Sequence, residues 1–356
     1  MIYSILLAIL LVALVLLLAW QLLRWLPAGA DGLKPLPYVI ALLPIAPFCA
    51  ALGLIASIVS AIATRSQNEF YKSYAFLCVA YVVLFLISLK SYTPYFAKQL
   101  RRIKQEKSRE KSREIRVMTL NCRYGHANAS QIIKIAKTHK IDTILLQEVS
   151  KKLVKNLEKL GIKHDFAHVQ LGNANDHENG GFNAIYTRLN NVKSFGKSIK
   201  IDAANVPIVT AAAFDSSLAA GDSCAENLLI TFASAHPKSP MRGCTAWCSG
   251  IMALAKIGEN HNKSGCKKVT IIGGDLNSTP DHPSFRTLLK SGFLDASMQI
   301  GKRLKTWPTW QKWPNLALDH VLVKSSGCSA KATEQSTIRV DGSDHFALIV
   351  CVSIPL

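Results

Sequence analysis

The sequence has no C-x-x-C pair, no cysteine and histidine set with the spacing of zinc ligands, and no P-loop. These absences argue against the common zinc modules and against P-loop nucleotide hydrolases. Acidic residues are also scarce, with 23 Asp and Glu against 42 Lys and Arg, so the formal net charge is +19. This balance favours a polyanionic partner, either nucleic acid or anionic lipid, but it carries no information about the fold.

The nine cysteines are too scattered to define a disulfide framework. Cys244 and Cys248 are four residues apart, which places both on one face of a helix rather than in a zinc knuckle. A disulfide such as Cys224–Cys266 requires that the domain faces an oxidising compartment. We therefore expect free thiols that are mostly buried.

The first 97 residues contain three apolar stretches that are long enough to cross a bilayer as helices, namely Ile2–Trp20, Leu36–Ala63 and Tyr74–Leu89. The first stretch has no basic n-region and no A-x-A-like site after it, so it is predicted to be a retained helix and not a cleaved signal peptide. The second contains Pro44 and Pro47, which bilayer helices tolerate. Because no ionisable residue lies inside the stretches, an anchor is favoured over a transport pathway.

The chain is thus divided into a membrane anchor (1–97), a basic linker (98–114) and a soluble domain (115–356). Lys98–Arg116 holds nine Lys and Arg against three Glu directly after the third apolar stretch. The positive-inside rule therefore predicts a cytoplasmic soluble domain, attached to a cell membrane. The cluster could also lie along anionic headgroups, although a solvated linker is the favoured interpretation. The sequence does not indicate the oligomeric state.

The soluble domain reads as short strands with helices between them. The predicted strands are Ile115–Leu120, Ile141–Leu146, Gly180–Arg188, Leu228–Ala233, Val269–Ile272, Leu316–Val323 (interrupted at Asp319 and His320) and Phe346–Val352. The predicted helices are Asn128–His139, Ala246–Gly258 and Ser284–Leu289. This pattern predicts an α/β sandwich of two sheets flanked by helices. The aromatic stretch Trp307–Trp313 could cover a pocket or serve packing alone.

The stretch Lys267–Pro280, KKVTIIGGDLNSTP, is central to the functional interpretation. Its strand is predicted to run into a Gly-Gly turn, which delivers Asp275 and Asn277 to the strand end. An acid and an amide held together there suit a metal-bound phosphate and an attacking water. An ordinary Asp/Asn turn is the alternative, and on this segment alone it is the favoured one.

Polar residues at the other strand ends reverse that preference. The candidate site residues are Asn121, Glu148, His236, Asp275, Asn277, Asp319, Asp344 and His345. Glu148 and Asp344 supply hard oxygen ligands suited to Mg²⁺. Asp319 can orient His345 for proton transfer. The amides and the second histidine can stabilise charge on phosphate oxygens. Together they form the inventory of a metal-assisted phosphodiesterase.

The motifs LNCRYG, LLQEV, SAHP, GGDLNSTP, LDHVLV and GSDHFAL, in this order, resemble the endonuclease/exonuclease/phosphatase superfamily with its deoxyribonuclease I-like fold. The resemblance covers about residues 115–356. It implies a four-layer α/β sandwich, in which two packed mixed β-sheets are flanked by helices, here preceded by three transmembrane helices. Thr306–Pro308 and Leu318–Leu322 are similar to stretches of bacterial members that carry such helices.

The resemblance also implies roles for the site residues. Glu148 matches the principal Mg²⁺ ligand, with Asn121 and Asp344 beside the metal, and Mn²⁺ is an alternative ion. Asp275 matches the residue that aligns or deprotonates the attacking water, and Asn277 matches an amide that contacts the phosphate.

The remaining matches concern the histidines. His345 matches the histidine that transfers a proton and contacts the phosphate, and Asp319 matches its orienting carboxylate. His236 matches a histidine placed across the scissile phosphate. Whether a histidine or an aspartate is the base stays open. A stretch at 216–226, rich in small residues, is interpreted as a loop insertion.

The favoured function is a membrane-anchored, Mg²⁺-dependent phosphodiesterase with nuclease-type activity. The alternative is a phosphoesterase that acts on a phospholipid, an inositol phosphate or a sphingomyelin-type headgroup, held near the bilayer by the anchor. Because one fold hosts many functions, the choice between the two substrate classes rests on analogy with other members of the superfamily. A non-catalytic scaffold is less favoured, since no candidate site position is missing.

Overall fold

The computed structural model describes residues 1–96, 112–173, 181–190, 192–194, 199–212, 228–258, 267–313 and 315–355. Most of the basic linker, the Cys224–Cys266 pair, the loop at 216–226 and Gly180 lie outside these residues, so the predictions made for them stay predictions. The cysteines within the described residues are free thiols, and Cys244 and Cys248 are among the buried ones.

The N-terminal region (residues 1–96) contains four α-helices whose bounds lie wholly within the described residues. They are α1 Ile2–Leu22, α2 Leu36–Ala41, α3 Ala46–Ala63 and α4 Asn68–Ser88. Helices α1, α3 and α4 form a bundle, in which the Tyr81 hydroxyl donates to Leu10 O at 2.8 Å. A Cβ at Gly53 would lie 2.2 Å from the Tyr81 ring, so glycine is what lets α3 and α4 approach closely. Three helical stretches of this region are long and apolar enough to cross a membrane, as judged by length and composition.

The second of these stretches, Leu36–Ala63, is not one regular helix. Helix α2 ends at Ala41, a 3-10 turn follows at Leu43–Ile45, and α3 begins at Ala46. Proline removes a backbone donor and restricts the residue before it, so Pro44 and Pro47 account for the break. The stretch remains a candidate span.

The C-terminal domain (residues 112–355) contains two six-stranded sheets. The first has the order β11-β12-β1-β2-β4-β3, with β1 Ser112–Asn121, β2 Thr143–Val149, β3 His168–Leu171, β4 Phe182–Thr187, β11 Lys331–Arg339 and β12 Phe346–Pro355. The second has the order β5-β6-β7-β8-β10-β9, with β5 Val192–Ser194, β6 Ile208–Ala212, β7 Leu229–Ser234, β8 Lys268–Asp275, β9 Leu294–Asp295 and β10 Asp319–Ser326. Both are mixed, since β1 pairs with β2 and β7 pairs with β8 in parallel, whereas the other pairs are antiparallel.

Successive side chains of each central strand point alternately to the core between the sheets and to the helices outside. In β1, Val117 points into the core between the sheets, whereas Met118 points to the helices outside. The helices of the domain are α5 Ala129–Thr138, α6 Lys151–Lys159, α7 Ile162–Asp165, α8 Cys244–Ala253, α9 Pro283–Lys290 and α10 Ala296–Ile300. Helices α5 and α6 cover the first sheet, and α8 and α9 cover the second. The predicted four-layer α/β sandwich is therefore confirmed.

The Gly-Gly pair before Asp275 lies in strand β8, so the predicted turn at this point was wrong. A Cβ at Gly273 would lie 2.5 Å from the Leu145 side chain of the facing sheet, and a Cβ at Gly274 would lie 1.7 Å from Ala235 O. The two glycines are therefore needed for close approach, which lets β8 continue to Asp275 between its neighbours.

The predicted interruption of a strand at Asp319 and His320 was also wrong. Both residues belong to β10, and Asp319 pairs in register with Asp275 of β8. Strand β2 likewise extends beyond its predicted end and includes Glu148. Asn121 is the last residue of β1, Asp275 is the last residue of β8, and Asp319 is the first residue of β10.

The N-terminal region packs on the segment that follows Asp275. Asp31 is fully buried, and its Oδ2 accepts a hydrogen bond from Ser284 N at 2.9 Å. Ser284 lies in the first turn of α9, whose backbone donors have no partner within the helix. Asp31 thus caps the N-terminus of α9, although it lies in a distant part of the chain. The helix dipole also favours a carboxylate at this end of a helix.

Two further contacts join the same segment to the N-terminal region. The guanidinium of the buried Arg24 lies 3.5 Å from the Asp281 carboxylate and donates to Ser91 Oγ at 3.0 Å. His282 Nε2 lies 2.9 Å from Pro37 O, while Thr279 N donates to His282 Nδ1. Since Nδ1 accepts a hydrogen bond, Nε2 carries the proton and donates it to Pro37 O. Buried polar contacts therefore fix the start of the second apolar stretch on the C-terminal domain.

Candidate active site

The strand ends of both sheets meet at one cavity of about 560 Å³. Its lining includes seven of the eight candidate site residues, namely Asn121, Glu148, His236, Asp275, Asn277, Asp344 and His345. Asp319 is buried behind His345 and is not part of the lining. The structure therefore brings together all the residues that the strand ends were predicted to present.

Asp275 lies at the centre of the group. Its Oδ2 accepts a hydrogen bond from Asn121 Nδ2 at 3.1 Å, and it lies 3.5 Å from Nε2 of both His236 and His345. Burial raises the pKa of Asp275, and the charge of His345 opposes this shift. A carboxylate with a raised pKa between two imidazoles is placed to exchange protons with them.

Glu148 reaches the cavity through an irregular strand end. The pairing of β2 with β4 shifts register between Leu146 and Val149, and Glu148 has a φ of 51°. A non-glycine residue with a positive φ is uncommon, and such strained residues are enriched at functional sites. The carboxylate accepts hydrogen bonds from Asn121 Nδ2 at 3.3 Å and from Tyr124 N at 2.9 Å. Burial raises the pKa of Glu148, although these hydrogen bonds oppose the shift.

His345 and Asp319 form a buried pair. His345 Nδ1 lies 2.8 Å from Asp319 Oδ2, which turns Nε2 of the ring towards Asp275. Burial lowers the pKa of His345, but the carboxylates of Asp319 and Asp275 outweigh it and raise the pKa to about 10. The ring is therefore an imidazolium at neutral pH, with its Nδ1 held by Asp319.

His236 and Asn277 complete the polar part of the cavity. Burial lowers the pKa of His236 and outweighs the opposing charge of Asp275, so this ring is neutral. Asn277 has a φ of 48°, and its backbone N–H donates to Asp275 Oδ1 at 3.0 Å. Among the described residues, the buried Asn277 Nδ2 has no hydrogen-bond partner. A buried donor left without a partner is costly, and a phosphate oxygen in the cavity would satisfy it.

Two hydroxyl groups that the sequence did not single out hold the site together. Ser343 Oγ donates to Asn121 O at 2.7 Å and accepts from His345 N at 2.9 Å, so it joins the ends of β1 and β12. Thr306 Oγ1 accepts from Asp319 N at 3.1 Å and fixes the start of β10. Both residues lie inside motifs noted above, Ser343 in GSDH and Thr306 in TWP. A small hydroxyl side chain in such a motif can form a hydrogen bond to the neighbouring backbone, and this could have identified them.

The residues present fit a divalent cation. Asp275, Asp319 and His345 have ligand atoms within 4.8 Å of one another, but His345 Nδ1 and Asp319 Oδ2 already bind each other. A hard cation prefers carboxylate and amide oxygens that are open to the substrate. Glu148 and Asp344 both line the cavity and meet this requirement, so they fit a cation better than the buried pair.

Two arginines bring positive charge to the mouth of the cavity, and the sequence reasoning missed both. Arg123 and Arg242 belong to the lining. The Arg242 guanidinium donates to the Tyr124 hydroxyl and lies 5.6 Å from the centre of the Tyr124 ring. Such a stacked, planar cation is well suited to contact phosphate. Both arginines lie in loops, where no periodic pattern marks them.

The N-terminal region forms one wall of the same cavity. This apolar wall comprises Pro37, Tyr38, Ala41 and Leu42, which all line the cavity. The Tyr38 hydroxyl donates to Pro240 O of the C-terminal domain at 2.7 Å. Trp307 also lines the cavity, with its ring centre 6.4 Å from that of His345. The wall was not predicted, because its residues were interpreted as part of a membrane helix.

Two packed mixed sheets with carboxylates, amides and histidines at one cavity define a hydrolase of phosphoric ester bonds with a deoxyribonuclease I-like fold. A family model described as "Endonuclease/Exonuclease/phosphatase family" matches residues 118–345, which is well over half of the chain. The chain belongs to this family, whose enzymes generally depend on a divalent metal.

Solved structures show the same fold. A humanized TDP2 of D. rerio with 14 mutations is 17% identical, with a TM-score of 0.53, and the match covers 67% of this chain and 98% of that chain. D. rerio TDP2 complexed with a single strand DNA product is also 17% identical, with a TM-score of 0.50 and the same coverage. No curated protein sequence matches the chain.

Proposed function

We propose that the protein is a membrane-anchored, divalent-metal-dependent phosphodiesterase. The observation that carries this proposal is the position of Asp275, whose carboxylate lies 3.5 Å from Nε2 of both His236 and His345 at the floor of a single cavity. Three apolar helical stretches before the C-terminal domain support the anchor. The enzyme thus combines a phosphate-hydrolysing site with attachment to a bilayer.

Glu148 would hold the metal, with Asn121 and Asp344 beside it. Mg²⁺ is the favoured ion and Mn²⁺ is the alternative, since both accept oxygen ligands. When bound, the ion supplies positive charge against the oxygens of the phosphate. Asn277 and Arg242 contact the remaining phosphate oxygens from the protein side.

The proton-transfer roles of Asp275 and His345 are assigned from the protonation state of each side chain. The Asp275 carboxylate aligns a water molecule and takes its proton as the water oxygen forms a bond to phosphorus. The P–O ester bond breaks, and the departing oxygen takes a proton from the imidazolium of His345. The proton on Asp275 then returns to His345 Nε2, which lies 3.5 Å away. The products are a phosphomonoester and an alcohol, and both side chains regain their starting state.

Two substrate classes fit this chemistry. Nucleic acid is supported by the net charge of +19 and by the DNA complex of the TDP2 structure. A phosphoester of a membrane amphiphile is supported by the apolar wall, which places part of the N-terminal region inside the cavity.

The proposed reaction can be tested on a small soluble diester. Purified full-length protein is expected to hydrolyse bis(p-nitrophenyl) phosphate with Mg²⁺ or Mn²⁺, and to stop when the metal is chelated. Asp275→Asn is expected to lower kcat by about 10²–10⁴-fold, because the general base is removed. Asp165→Asn is the matched control, since Asp165 pairs with Lys137 and does not line the cavity. Equal activity of the two variants would contradict the proposal.

A further inference from the structure

The geometry points to an amphiphile as the substrate. We infer that a lipid-class phosphoester, held in the same bilayer as the N-terminal region, places its phosphate at Asp275 and its apolar part on the apolar wall. This inference rests on the proposed function and adds the class of substrate to it. Tyr38 and Leu42 would be the residues of the wall that determine specificity.

The wall is fixed to the catalytic domain, so it is a permanent part of the cavity. Tyr38 is held by Pro240 O at 2.7 Å, and the neighbouring Pro37 O is held by His282 at 2.9 Å. Both partners lie close in sequence to catalytic positions, Pro240 after His236 and His282 after Asn277. The same loops therefore hold both the reacting groups and the wall.

The wall continues directly into the bilayer-spanning helices. It is followed by the 3-10 turn Leu43–Ile45 and then by α3, in whose first turn Phe48 contacts Trp313 of the catalytic domain, with ring centres 5.7 Å apart. Phe48 is 52% exposed and Trp313 is 60% exposed, although both are large apolar side chains. A Trp beside the end of a spanning helix is typical of the membrane–water interface. The mouth of the cavity therefore lies at the level of the lipid headgroups.

Other exposed apolar side chains lie in the cavity lining or beside it. Met241 lines the cavity and is 80% exposed, and Trp310 is 62% exposed with its ring 5.8 Å from that of Trp307. Together with Trp313 they form an apolar rim (Met241, Trp310 and Trp313). Apolar patches of this kind on a soluble surface mark membrane or ligand contact. Met241 lies in the cavity lining together with the apolar wall, so this part of the rim offers an apolar contact to an acyl chain.

The shape and polarity of the cavity favour an amphiphile over a nucleic acid. A cavity of about 560 Å³ has the size of a small-molecule site. A nucleic acid carries further charged phosphates beside the scissile one, and a phosphate placed against Ala41 and Leu42 would find no cation on that wall. Burying a charge against apolar groups is costly. An amphiphile presents one phosphate to the polar floor and a chain to the wall.

The experiment compares two diesters that share the bond to be broken. Full-length protein in phosphatidylcholine nanodiscs with Mg²⁺ is given hexadecyl p-nitrophenyl phosphate or methyl p-nitrophenyl phosphate. The wild type is expected to show at least about tenfold higher kcat/KM for the hexadecyl ester, since only this ester has a chain that can contact the apolar wall. Leu42→Gln is expected to lower this ratio several-fold. Leu33→Gln, a matched change of a 63% exposed leucine outside the cavity lining, is expected to keep it.

The outcomes separate the inference from the reaction on which it depends. Equal kcat/KM for the two esters, or an equal ratio in the Leu42→Gln and Leu33→Gln variants, overturns the inference and leaves the phosphodiesterase intact. Faster hydrolysis of a single-stranded oligonucleotide than of the hexadecyl ester also overturns it. Failure to hydrolyse either ester, with bis(p-nitrophenyl) phosphate also stable, overturns the proposed function itself.

Discussion

The floor and the wall of the cavity are built in different ways. The floor consists of polar side chains at strand ends, such as Asp275 and His345, which are 2% and 5% exposed. Strand pairing sets their positions. The apolar wall comes from the N-terminal region and is held by a few polar contacts to loops. The difference implies that the floor determines the reaction, whereas the wall determines which phosphoester can reach it.

One stretch connects the two regions. Asp275 and Asn277 belong to the floor, whereas the next few residues bind the N-terminal region through Asp281, His282 and Ser284. A change in how the N-terminal region is seated can therefore reach the floor over a very short length of chain.

The largest effect is expected from the floor. His345→Gln removes the proposed proton donor and should lower kcat on methyl p-nitrophenyl phosphate by about 10²–10⁴-fold. Steady-state kinetics of the full-length protein measure this loss. His164→Gln serves as the control, because His164 lies in the surface helix α7. A similar kcat for both variants would show that His345 has no part in the reaction.

Gly274→Ala should disturb the floor through the backbone. The new Cβ would lie 1.7 Å from Ala235 O, so β7 and β8 must separate beside His236. We expect a loss of about 3 kcal/mol or more in the free energy of unfolding, as for other cases of overpacking that backbone cannot relieve. Thermal unfolding in detergent measures it. Gly243→Ala is the control, since its Cβ would meet no atom closer than 3.4 Å. Equal stability would mean that the glycine is not needed for close approach.

Asp31→Asn should loosen the wall more than the floor. The buried carboxylate caps α9 through Ser284 N, and its loss is expected to cost about 1–3 kcal/mol. The ratio of kcat/KM for the hexadecyl and methyl esters should fall several-fold, whereas kcat for the methyl ester should change less. A loss of activity that is equal for both esters would contradict the separation of wall and floor.

The smallest effect concerns the link between the two regions. His320 Nε2 lies 3.0 Å from Ser278 O, and its Nδ1 lies 2.6 Å from Asp295 Oδ2. Burial lowers the pKa of His320, but Asp295 outweighs it, so the pKa in the folded state is raised. This contribution to stability is complete below the unfolded pKa of about 6.5 and is lost as pH rises through the folded value.

The measurement compares the thermal unfolding of wild type and His320→Gln across that range. The stability advantage of the wild type should be largest below pH 6.5 and should shrink as pH rises. An advantage that grows with pH would show that His320 is buried in its neutral form.

The sequence allowed the floor to be predicted because its polar residues stand at the ends of apolar strands, where they contrast with the apolar run before or after them. Asn121, Glu148 and Asp275 were found in this way. The Gly-Gly pair was misread as a turn, since the need for close approach depends on Leu145 and Ala235, which are distant in sequence. The positive φ of Glu148 could not be predicted either, because it also depends on contacts with residues that are distant in sequence.

The wall could not be predicted from the sequence. Hydrophobicity identifies Leu36–Ala63 as long enough to cross a bilayer, but it does not show which part of the stretch contacts another domain. The prolines at 44 and 47 were consistent with a spanning helix and also with the break that the structure contains. Only the tertiary contacts of Pro37 and Tyr38 distinguish the two.

The most direct test of the account asks whether the N-terminal region forms a wall of the cavity in the membrane. A photoreactive benzophenone amino acid is placed at Leu42 or, as the control, at Leu33, and membranes that contain the full-length protein are irradiated. Mass spectrometry of the digested protein should find position 42 linked to the catalytic domain at 239–242 or 316–318, and position 33 not linked there. If position 42 is linked to lipid alone, or no more often to these segments than position 33, the wall is not part of the cavity and the account is wrong.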